Sequence, residues 1–237
     1  MTRLSVNLNK VALIRNSRGA NFPNLLQVAR DCEAYGAQGI TVHPRPDERH
    51  VRYADIPLLR QTVSTEFNVE GYPDERFLSL VLQHPPDQCT LVPDRPGQLT
   101  SDHGWDTLGE ASFLKPVISR LQAKNIRVSL FVDPVPAQIL GAKALGANRI
   151  ELYTGPYALA YRRDPAAAVA PYAAAAALAQ TAGLGLNAGH DLNLDNLRYF
   201  QRQVPGLLEV SIGHALIADA LYFGLAHTLQ LYLRCLD

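Results

Sequence analysis

The stretch RVSLFVDPVPAQILGAKALGANRIELY, residues 127–153, contains two short apolar runs separated by a helical segment. Residues 127–133 and 149–153 are rich in Val, Ile, Leu and Phe, as parallel strands buried on both faces are. Between them, residues 136–145 begin with proline and end before Gly146, and both residues are favoured at those ends of a helix. This order predicts a parallel βαβ unit.

The same alternation runs along the whole chain. Apolar runs of this kind occupy residues 4–9, 39–43, 67–71, 88–93, 127–133, 149–153, 185–188 and 208–212. Helical patterns occupy residues 24–35, 56–64, 74–83, 110–123, 136–145, 166–182, 193–203 and 218–236. Such a chain predicts an α/β fold, a closed (β/α)8 TIM barrel with extra short helical or loop segments. Because one barrel takes about 250 residues, we expect a single domain over residues 1–237.

The charges of the chain are balanced. Lys and Arg together number 22, and so do Asp and Glu. No overall field therefore favours nucleic acid or an anionic membrane surface, and local charge must bind any phosphate. We expect no nucleic-acid partner.

Three features favour a cytoplasmic protein without a membrane segment. The opening residues MTRLSVNLNK turn polar too soon for a signal peptide. Cys32, Cys89 and Cys235 lack the spacing of a metal knuckle or redox pair, so we expect structural thiols in a reducing compartment. Residues 215–236 are the most apolar stretch, but charged side chains interrupt it and would be costly in lipid. We expect a final helix there, packed on the barrel or on another subunit.

Two connections that follow predicted strands are long. Residues 10–23 contain Arg15, Arg18 and Gly19 but no hydrophobic period, and residues 94–106 form the other connection. Long loops in compact folds are often functional, and barrel enzymes keep their chemistry on the face where these loops lie. We predict that both segments are functional loops.

Polar side chains stand where the predicted strands end. They are Asn7, Asn9, His43, Glu70, Glu151, His190 and the pair Gly213-His214. A barrel gathers all these ends around one mouth. Because burying such groups unpaired would be costly, the set favours a catalytic mouth with several acids and bases over a purely structural arrangement.

Residues 43–50, HPRPDERH, are suited to phosphate. The segment places two arginines and two histidines after the second strand, and the guanidinium fork matches phosphate geometry. Asp47 and Glu48 leave open a loop that is paired internally. We predict a phosphate clamp at Arg45.

Residues 211–215, SIGHA, and 187–190, NAGH, are small-residue turns after the last two strands. Glycine allows a ligand to approach backbone N–H groups, and a helix N-terminus attracts anions. We predict a second anion site there, opposite Arg45. The histidines lack H-x-H or H-E-x-x-H spacing and few carboxylates accompany them, so we expect no metal site.

Nine motifs follow one another along the chain: Val6-Asn-Leu-Asn9, Arg15-Asn-Ser-Arg-Gly19, Gly39-Ile-Thr-Val-His-Pro-Arg45, Arg49-His50, Asn68-Val-Glu70, Leu91-Val-Pro93, Val128-Ser-Leu-Phe131, Asn187-Ala-Gly-His190 and Ile212-Gly-His214. In these motifs the chain resembles the pyridoxine 5′-phosphate synthase family over essentially its whole length. The resemblance implies a (β/α)8 barrel, a homo-octamer and no metal or organic cofactor. It implies that the substrates are 3-amino-2-oxopropyl phosphate and 1-deoxy-D-xylulose 5-phosphate, which are joined to give pyridoxine 5′-phosphate, phosphate and water.

The resemblance also implies roles for individual residues. It makes His43 and Glu70 catalytic bases and His190 the proton donor. Contacts to the amino-ketone phosphate are implied for Asn7, Arg18, Gly213 and His214. Contacts to the pentulose phosphate are implied for Asn9, Lys10, Arg45, His50 and Thr100. Glu151 and Asp191 complete the predicted substrate-binding set.

Two positions depart from the family pattern. Many family members have Asp-His where this chain has Asn9-Lys10, and many have Gly where it has Asp191. The first change removes a carboxylate and replaces a group that titrates near neutrality by a permanent cation. We expect the contact with the pentulose phosphate to differ in detail, while the three acid–base positions are intact.

Two other functions remain open at this point. A sugar-phosphate aldolase or isomerase of the same fold would use a Schiff-base lysine, and Lys10 and Lys115 lie near suitable loops. A non-catalytic barrel that binds phosphometabolites is the second. Turnover of the two substrates separates these functions from the condensation.

Overall fold

The computed structural model describes residues 1–94 and 101–237. Eight parallel strands form one closed barrel, in which each strand pairs with the next and the first pairs with the last. The strands are β1 Arg3–Asn7, β2 Gly39–Val42, β3 Glu66–Gly71, β4 Gln88–Leu91, β5 Arg127–Val132, β6 Arg149–Tyr153, β7 Gly185–Gly189 and β8 Leu207–Ile212. The predicted (β/α)8 barrel is confirmed, with every predicted strand present.

Eleven helices lie within the described residues. They are α1 Asn9–Asn16, α2 Leu25–Ala34, α3 Asp55–Thr62, α4 Glu75–Gln83, α5 Ala111–Gln122, α6 Pro136–Ala144, α7 Gly155–Tyr161, α8 Pro165–Thr181, α9 Leu197–Gln203, α10 His214–Phe223 and α11 Leu225–Leu236. Each predicted helical segment contains a helix. The short α7, which begins with a Gly-Pro pair, is one of the extra segments.

The prediction that the first connection is a loop was wrong. The helix α1 occupies Asn9–Asn16 there. This helix buries Val11, Ala12 and Arg15. Arg15 donates to both carboxylate oxygens of Asp55, at 2.7 and 2.8 Å. Since a charged residue takes one of the three buried positions, the segment shows no hydrophobic period, which explains why the helix was missed.

The final helix was predicted as one element, residues 218–236, but the structure divides it into α10 and α11. The break lies at Gly224, whose φ of +74° is in the left-handed region. Glycine adopts this conformation readily because it lacks a Cβ atom. The helix α10 also begins directly after β8, so its first residues reach the mouth of the barrel.

The interior of the barrel is polar next to its mouth, whereas the apolar core lies between strands and helices. The side chains of Ser5, Thr41, Asn68 and Thr90, from four consecutive strands, form a chain of hydrogen bonds of 2.7, 3.3 and 3.1 Å. Branched apolar residues usually fill this space in such barrels. The polar chain ends at Glu151, whose carboxyl accepts from the Thr90 hydroxyl at 3.5 Å.

All three cysteines lie in the described residues, and each is a buried free thiol. Within residues 1–94 and 101–237, no helix combines the length and the apolar character needed to cross a membrane.

Candidate active site

A cavity of about 580 Å³ lies at the carboxyl ends of the barrel strands. The predicted site residues that line it are Asn7, Asn9, Lys10, His43, Arg45, His50, Glu70, Glu151, His190, Asp191, Gly213 and His214. Arg18 does not line the cavity. This residue is exposed in the turn after α1. Thr100 lies outside the described residues. The barrel therefore brings together side chains from six different strand ends.

Two asparagines organise the ends of the first three strands. The Asn7 Oδ1 atom accepts from the backbone N–H of Asn9 at 3.0 Å, and the Asn9 Oδ1 atom accepts from the backbone N–H of His43 at 2.9 Å. The Asn7 Nδ2 atom donates to Glu70 at 3.4 Å. These amides fix the positions of His43 and Glu70 relative to β1.

Two carboxyl groups at the cavity are buried, and this raises their pKa. Burial, and then the negative charge of Asp94, raise the pKa of Glu70 to about 8, while Arg45 opposes this change. Burial, and then Glu70, raise the pKa of Glu151 well above its ordinary value. A carboxyl whose pKa lies near 8 can gain and lose a proton close to neutral pH, as general acid–base catalysis requires.

The two histidines of the 43–50 segment are neutral near pH 7. Burial, and then the positive charges of Arg45 and Arg49, lower the pKa of His43 well below its usual value. Burial and the same two arginines lower the pKa of His50 to about 4. The rings meet edge to face, with centroids 6.4 Å apart. A neutral imidazole is a proton acceptor, so His43 has the form that a base needs.

His190 and Asp191 follow β7 in an unusual backbone conformation, with φ angles of +90° and +61°. The Thr154 hydroxyl supports this turn by donating to the backbone carbonyls of Gly189, at 2.7 Å, and of His190. The His190 Nδ1 atom lies 3.1 Å from the Asp191 carboxylate. The rings of Tyr153 and His190 meet edge to face, with centroids 5.3 Å apart. The turn thus holds the imidazole at the cavity wall.

The hydrogen bond from His190 holds the pKa of Asp191 below its ordinary value. Asp191 is therefore a carboxylate near neutral pH. This pair faces the cavity from β7, whereas His43 and Glu70 face it from β2 and β3. The cavity carries proton acceptors and a carboxylate-bound imidazole on separate walls.

Two glycines allow close approaches at the mouth. A Cβ atom on Gly189 would lie 2.3 Å from the Oε1 atom of Glu151, so any larger residue would displace that carboxyl. A Cβ atom on Gly213 would lie 3.0 Å from the Asn7 Cβ atom. Gly213 directly precedes α10, and the start of this helix, His214-Ala215, lines the cavity. A helix N-terminus in this place suits an anion.

Sequence reasoning missed Asp94 and Ser101. The buried carboxylate of Asp94 forms an ion pair with Arg45 and accepts from the Ser101 hydroxyl at 2.7 Å. Asp94 directly follows the predicted fourth strand, as the other site residues follow theirs, and this position could have marked it. Among residues 1–94 and 101–237, no group of three or more His, Cys, Asp or Glu side chains is arranged to hold a metal ion.

Comparison with solved structures supports the fold alone. Tryptophan synthase from M. tuberculosis matches with a TM-score of 0.66 and 11% identity, over 100% of this chain and 94% of that chain. Thiamine phosphate pyrophosphorylase from Pyrococcus furiosus matches with a TM-score of 0.63 and 14% identity, over 99% of this chain and 95% of that chain. At such identities the likeness carries no information on substrates.

Comparison of sequences is far more specific. Pyridoxine 5'-phosphate synthase from Cytophaga hutchinsonii is 58% identical over 234 residues, which are 99% of this chain and 98% of the relative. The enzyme of the same name from Bacteroides fragilis is 58% identical over 236 residues, with full coverage of both chains. The family described as Pyridoxal phosphate biosynthesis protein PdxJ matches residues 4–237. This chain belongs to that family.

Proposed function

We propose that this chain is a pyridoxine 5′-phosphate synthase. It condenses 3-amino-2-oxopropyl phosphate with 1-deoxy-D-xylulose 5-phosphate to give pyridoxine 5′-phosphate, phosphate and water. The observation that carries the proposal is the meeting of His43, Glu70 and His190 in one cavity, in a chain 58% identical to a relative of that name.

The reaction is a series of proton transfers. Imine formation, enolisation, loss of phosphate, aldol-type ring closure and dehydration each move a proton at a different atom. His43 and Glu70 accept protons and His190 donates one. The neutral state of His43 and the raised pKa of Glu70 support the first part of this assignment. The carboxylate of Asp191, 3.1 Å from the His190 Nδ1 atom, supports the second, because it orients the imidazole at the cavity wall.

The two phosphate groups bind at different walls. Arg45, His50, Asn9 and Lys10 contact the pentulose phosphate, together with Thr100. Asn7, Gly213, His214 and Arg18 contact the amino-ketone phosphate. The cations around the 43–50 segment and the start of α10 at the cavity support these two places. Glu151 and Asp191, which also line the cavity, complete the substrate-binding set.

The chemistry requires no metal and no organic cofactor. Each step is a proton transfer or an elimination that is assisted by one, and the cavity supplies groups that accept and donate protons near neutral pH. The phosphate that leaves departs as a stable anion, and the cationic side chains of the cavity stabilise its charge.

The protein works as a homo-octamer in the cytoplasm. The helix α10 exposes 75% of Leu221, 86% of Tyr222 and 51% of Phe223. Contiguous exposed apolar side chains of this size are typical of protein interfaces. Size-exclusion chromatography with light scattering measures the mass of the assembly, and a monomer at micromolar concentration contradicts this part of the proposal.

The decisive experiment mixes purified protein with both substrates in a metal-chelating buffer. We expect pyridoxine 5′-phosphate, identified by mass, and no product when either substrate is omitted. Folded protein that yields no product in this assay is not a pyridoxine 5′-phosphate synthase.

A lysine-dependent aldolase is the second candidate, because Lys10 lines the cavity. Lys115 lies outside it, exposed on α5. Such an aldolase forms an imine with its substrate, and borohydride reduction then attaches the substrate covalently to the lysine. We expect no such adduct at Lys10. Digestion followed by mass spectrometry of the peptide that contains Lys10 tests this.

A further inference from the structure

Asp94 is a buried carboxylate that forms an ion pair with Arg45. It lies three residues beyond the end of β4, and its side chain is 0% exposed. One oxygen, Oδ2, contacts Arg45 and accepts from Ser101. The other oxygen, Oδ1, is buried without a hydrogen-bond partner among the described residues. Because such burial destabilises a protein, a carboxylate in this state beside Arg45 and Ser101, which line the cavity, indicates a functional constraint.

The ion pair with Asp94 helps to fix Arg45 at the cavity. The Arg45 side chain is 9% exposed and its partner is completely buried. Removing one partner of a buried ion pair is costly, because the other charge is then left without compensation. A change in the position of the Asp94 carboxylate therefore changes the position of the Arg45 guanidinium.

Asp94 also acts on the charge around Glu70. The titratable and charged groups that act on this carboxyl come from four parts of the barrel: Arg45 after β2, Asp94 and Cys89 at β4, Glu151 on β6 and Glu209 on β8. His43 lines the same cavity. Of the charged neighbours, Asp94 raises the pKa of Glu70 most, and Arg45 lowers it. The carboxylate of Asp94 thus offsets a cation that would otherwise keep Glu70 ionised.

Resting on the proposed function, we propose that Asp94 is a positioning residue for the condensation: it holds Arg45 where the phosphate of the pentulose substrate binds and offsets the charge of Arg45 beside Glu70. The ion pair transmits both effects. The position and the charge of the Asp94 carboxylate can be tested separately. Asp94→Glu changes the position and keeps the charge, whereas Asp94→Asn removes the charge and keeps the shape.

The position effect is tested with Asp94→Glu, which keeps the charge but moves the carboxylate by one methylene. We expect the KM for 1-deoxy-D-xylulose 5-phosphate to rise about tenfold, since a charge-assisted contact is misplaced. The KM for the amino ketone stays within about twofold, a range too small to reflect a lost hydrogen bond. The matched control is Asp87→Glu at the other end of β4, where Asp87 pairs with Arg60 at 3.2 Å. It leaves both constants unchanged.

The charge effect is tested with Asp94→Asn, which keeps the shape and an acceptor for Arg45. Removing the negative charge lowers the pKa of Glu70, so its basic form persists at lower pH. We expect the acid limb of kcat/KM to move down by about one pH unit. Asp94→Glu, which retains the charge, leaves this limb in place.

A double variant tests whether the position effect passes through Arg45. In an Arg45→Gln background, Asp94→Glu changes the KM for the pentulose phosphate by less than about twofold, because coupled residues are not additive. Full additivity of the two effects overturns the proposal. So does an equal change in both KM values with an unmoved acid limb for Asp94→Asn, since a purely structural residue gives that result.

If Asp94→Glu does not fold, Ser101→Ala tests the role of Asp94 instead. It removes the 2.7 Å hydrogen bond to the same carboxylate oxygen and adds no volume. We expect a rise of about threefold in the KM for the pentulose phosphate alone, as for the loss of one hydrogen bond. Calorimetric binding of 1-deoxy-D-xylulose 5-phosphate gives the same comparison without turnover. A parent protein that binds this substrate but makes no product sinks the proposed function, whereas equal binding by parent and Ser101→Ala sinks the role of Asp94.

Discussion

The side-chain amide of Asn7 donates a hydrogen bond of 3.4 Å to the carboxyl of Glu70, across the barrel mouth from β1 to β3. An amide donor can bond to a carboxylic acid as well as to a carboxylate, since an oxygen accepts in both states. Glu70 is therefore held in one place while its proton comes and goes. This is the behaviour that an acid–base residue with a pKa of about 8 requires.

Glu70→Gln preserves the shape of the side chain and can still accept from Asn7, but it cannot take up a proton. We expect a fall in kcat of about a hundredfold or more, the usual size of a lost general base. The KM values stay close to those of the parent, as steady-state kinetics with both substrates measure. Glu75→Gln on the surface of α4 is the control and keeps the parent rate. If Glu70→Gln weakens binding alone, the base assignment is wrong.

Asn16 ties the end of α1 to the segment that carries the phosphate clamp. Its Nδ2 atom donates to the backbone carbonyl of His50 at 2.7 Å and to that of Arg49 at 3.2 Å. Asn16→Ala frees these carbonyls, so we expect the KM for the pentulose phosphate to rise about threefold while kcat is retained. Asn24→Ala removes the N-cap of α2, where Asn24 accepts from Gln27. This control lowers the melting temperature and leaves KM unchanged.

The parts of the fold that repeat could be predicted from the sequence, and the parts that depend on a single tertiary contact could not. Eight apolar runs with helical segments between them require a barrel, and the barrel then brings His43, Glu70 and His190 to one mouth. The helix α1 escaped prediction because Arg15, the residue that anchors it, is buried through an ion pair with Asp55, 40 residues away. No local period reports such a pair.

The candidate site divides in the same way. Residues at strand ends were predicted because their place follows from the strand itself. The pairing of Arg45 with Asp94 joins two loops that are 49 residues apart, and only the closed barrel makes them neighbours. The prediction for Arg18 as a phosphate contact stays a prediction, since the residue lies outside the cavity.

The buried carboxyl of Glu209 makes the stability of the folded protein depend on pH. It is buried on β8, and burial, followed by the charge of Glu66, raises its pKa from 4.5 to about 8. Between these two values the folded protein holds more protons than the unfolded chain, so stability is full below the lower value and falls as pH rises to the higher one. Glu209→Gln removes this contribution.

We therefore expect the melting temperature of Glu209→Gln to fall less steeply than that of the parent between pH 4.5 and about pH 8. The slope does not vanish, because Glu70 and Glu151 contribute in the same direction. Scanning calorimetry measures it, and Glu75→Gln, at a surface carboxylate, keeps the slope of the parent. If the melting temperatures of Glu209→Gln and the parent fall with the same slope, the pKa of Glu209 is the same in the folded and unfolded states.

His190 lies beside a carboxylate that orients it. The Asp191 carboxylate is 3.1 Å from the His190 Nδ1 atom and directs the other nitrogen of the ring away from the pair. The hydrogen bond that lowers the pKa of Asp191 keeps this carboxylate ionised near neutral pH. A histidine held in this way can donate a proton to the substrate from its other nitrogen.

Asp191→Asn removes the charge and keeps an acceptor for the imidazole, so we expect kcat to fall about tenfold, as steady-state kinetics measure. His190→Asn retains one hydrogen bond but cannot act as the proton donor, so kcat falls about a hundredfold and a substrate adduct accumulates that mass spectrometry detects. His84→Asn, at the half-buried residue that follows α4, controls for the loss of a histidine. Turnover by His190→Asn at near the parent rate shows that another group supplies the proton.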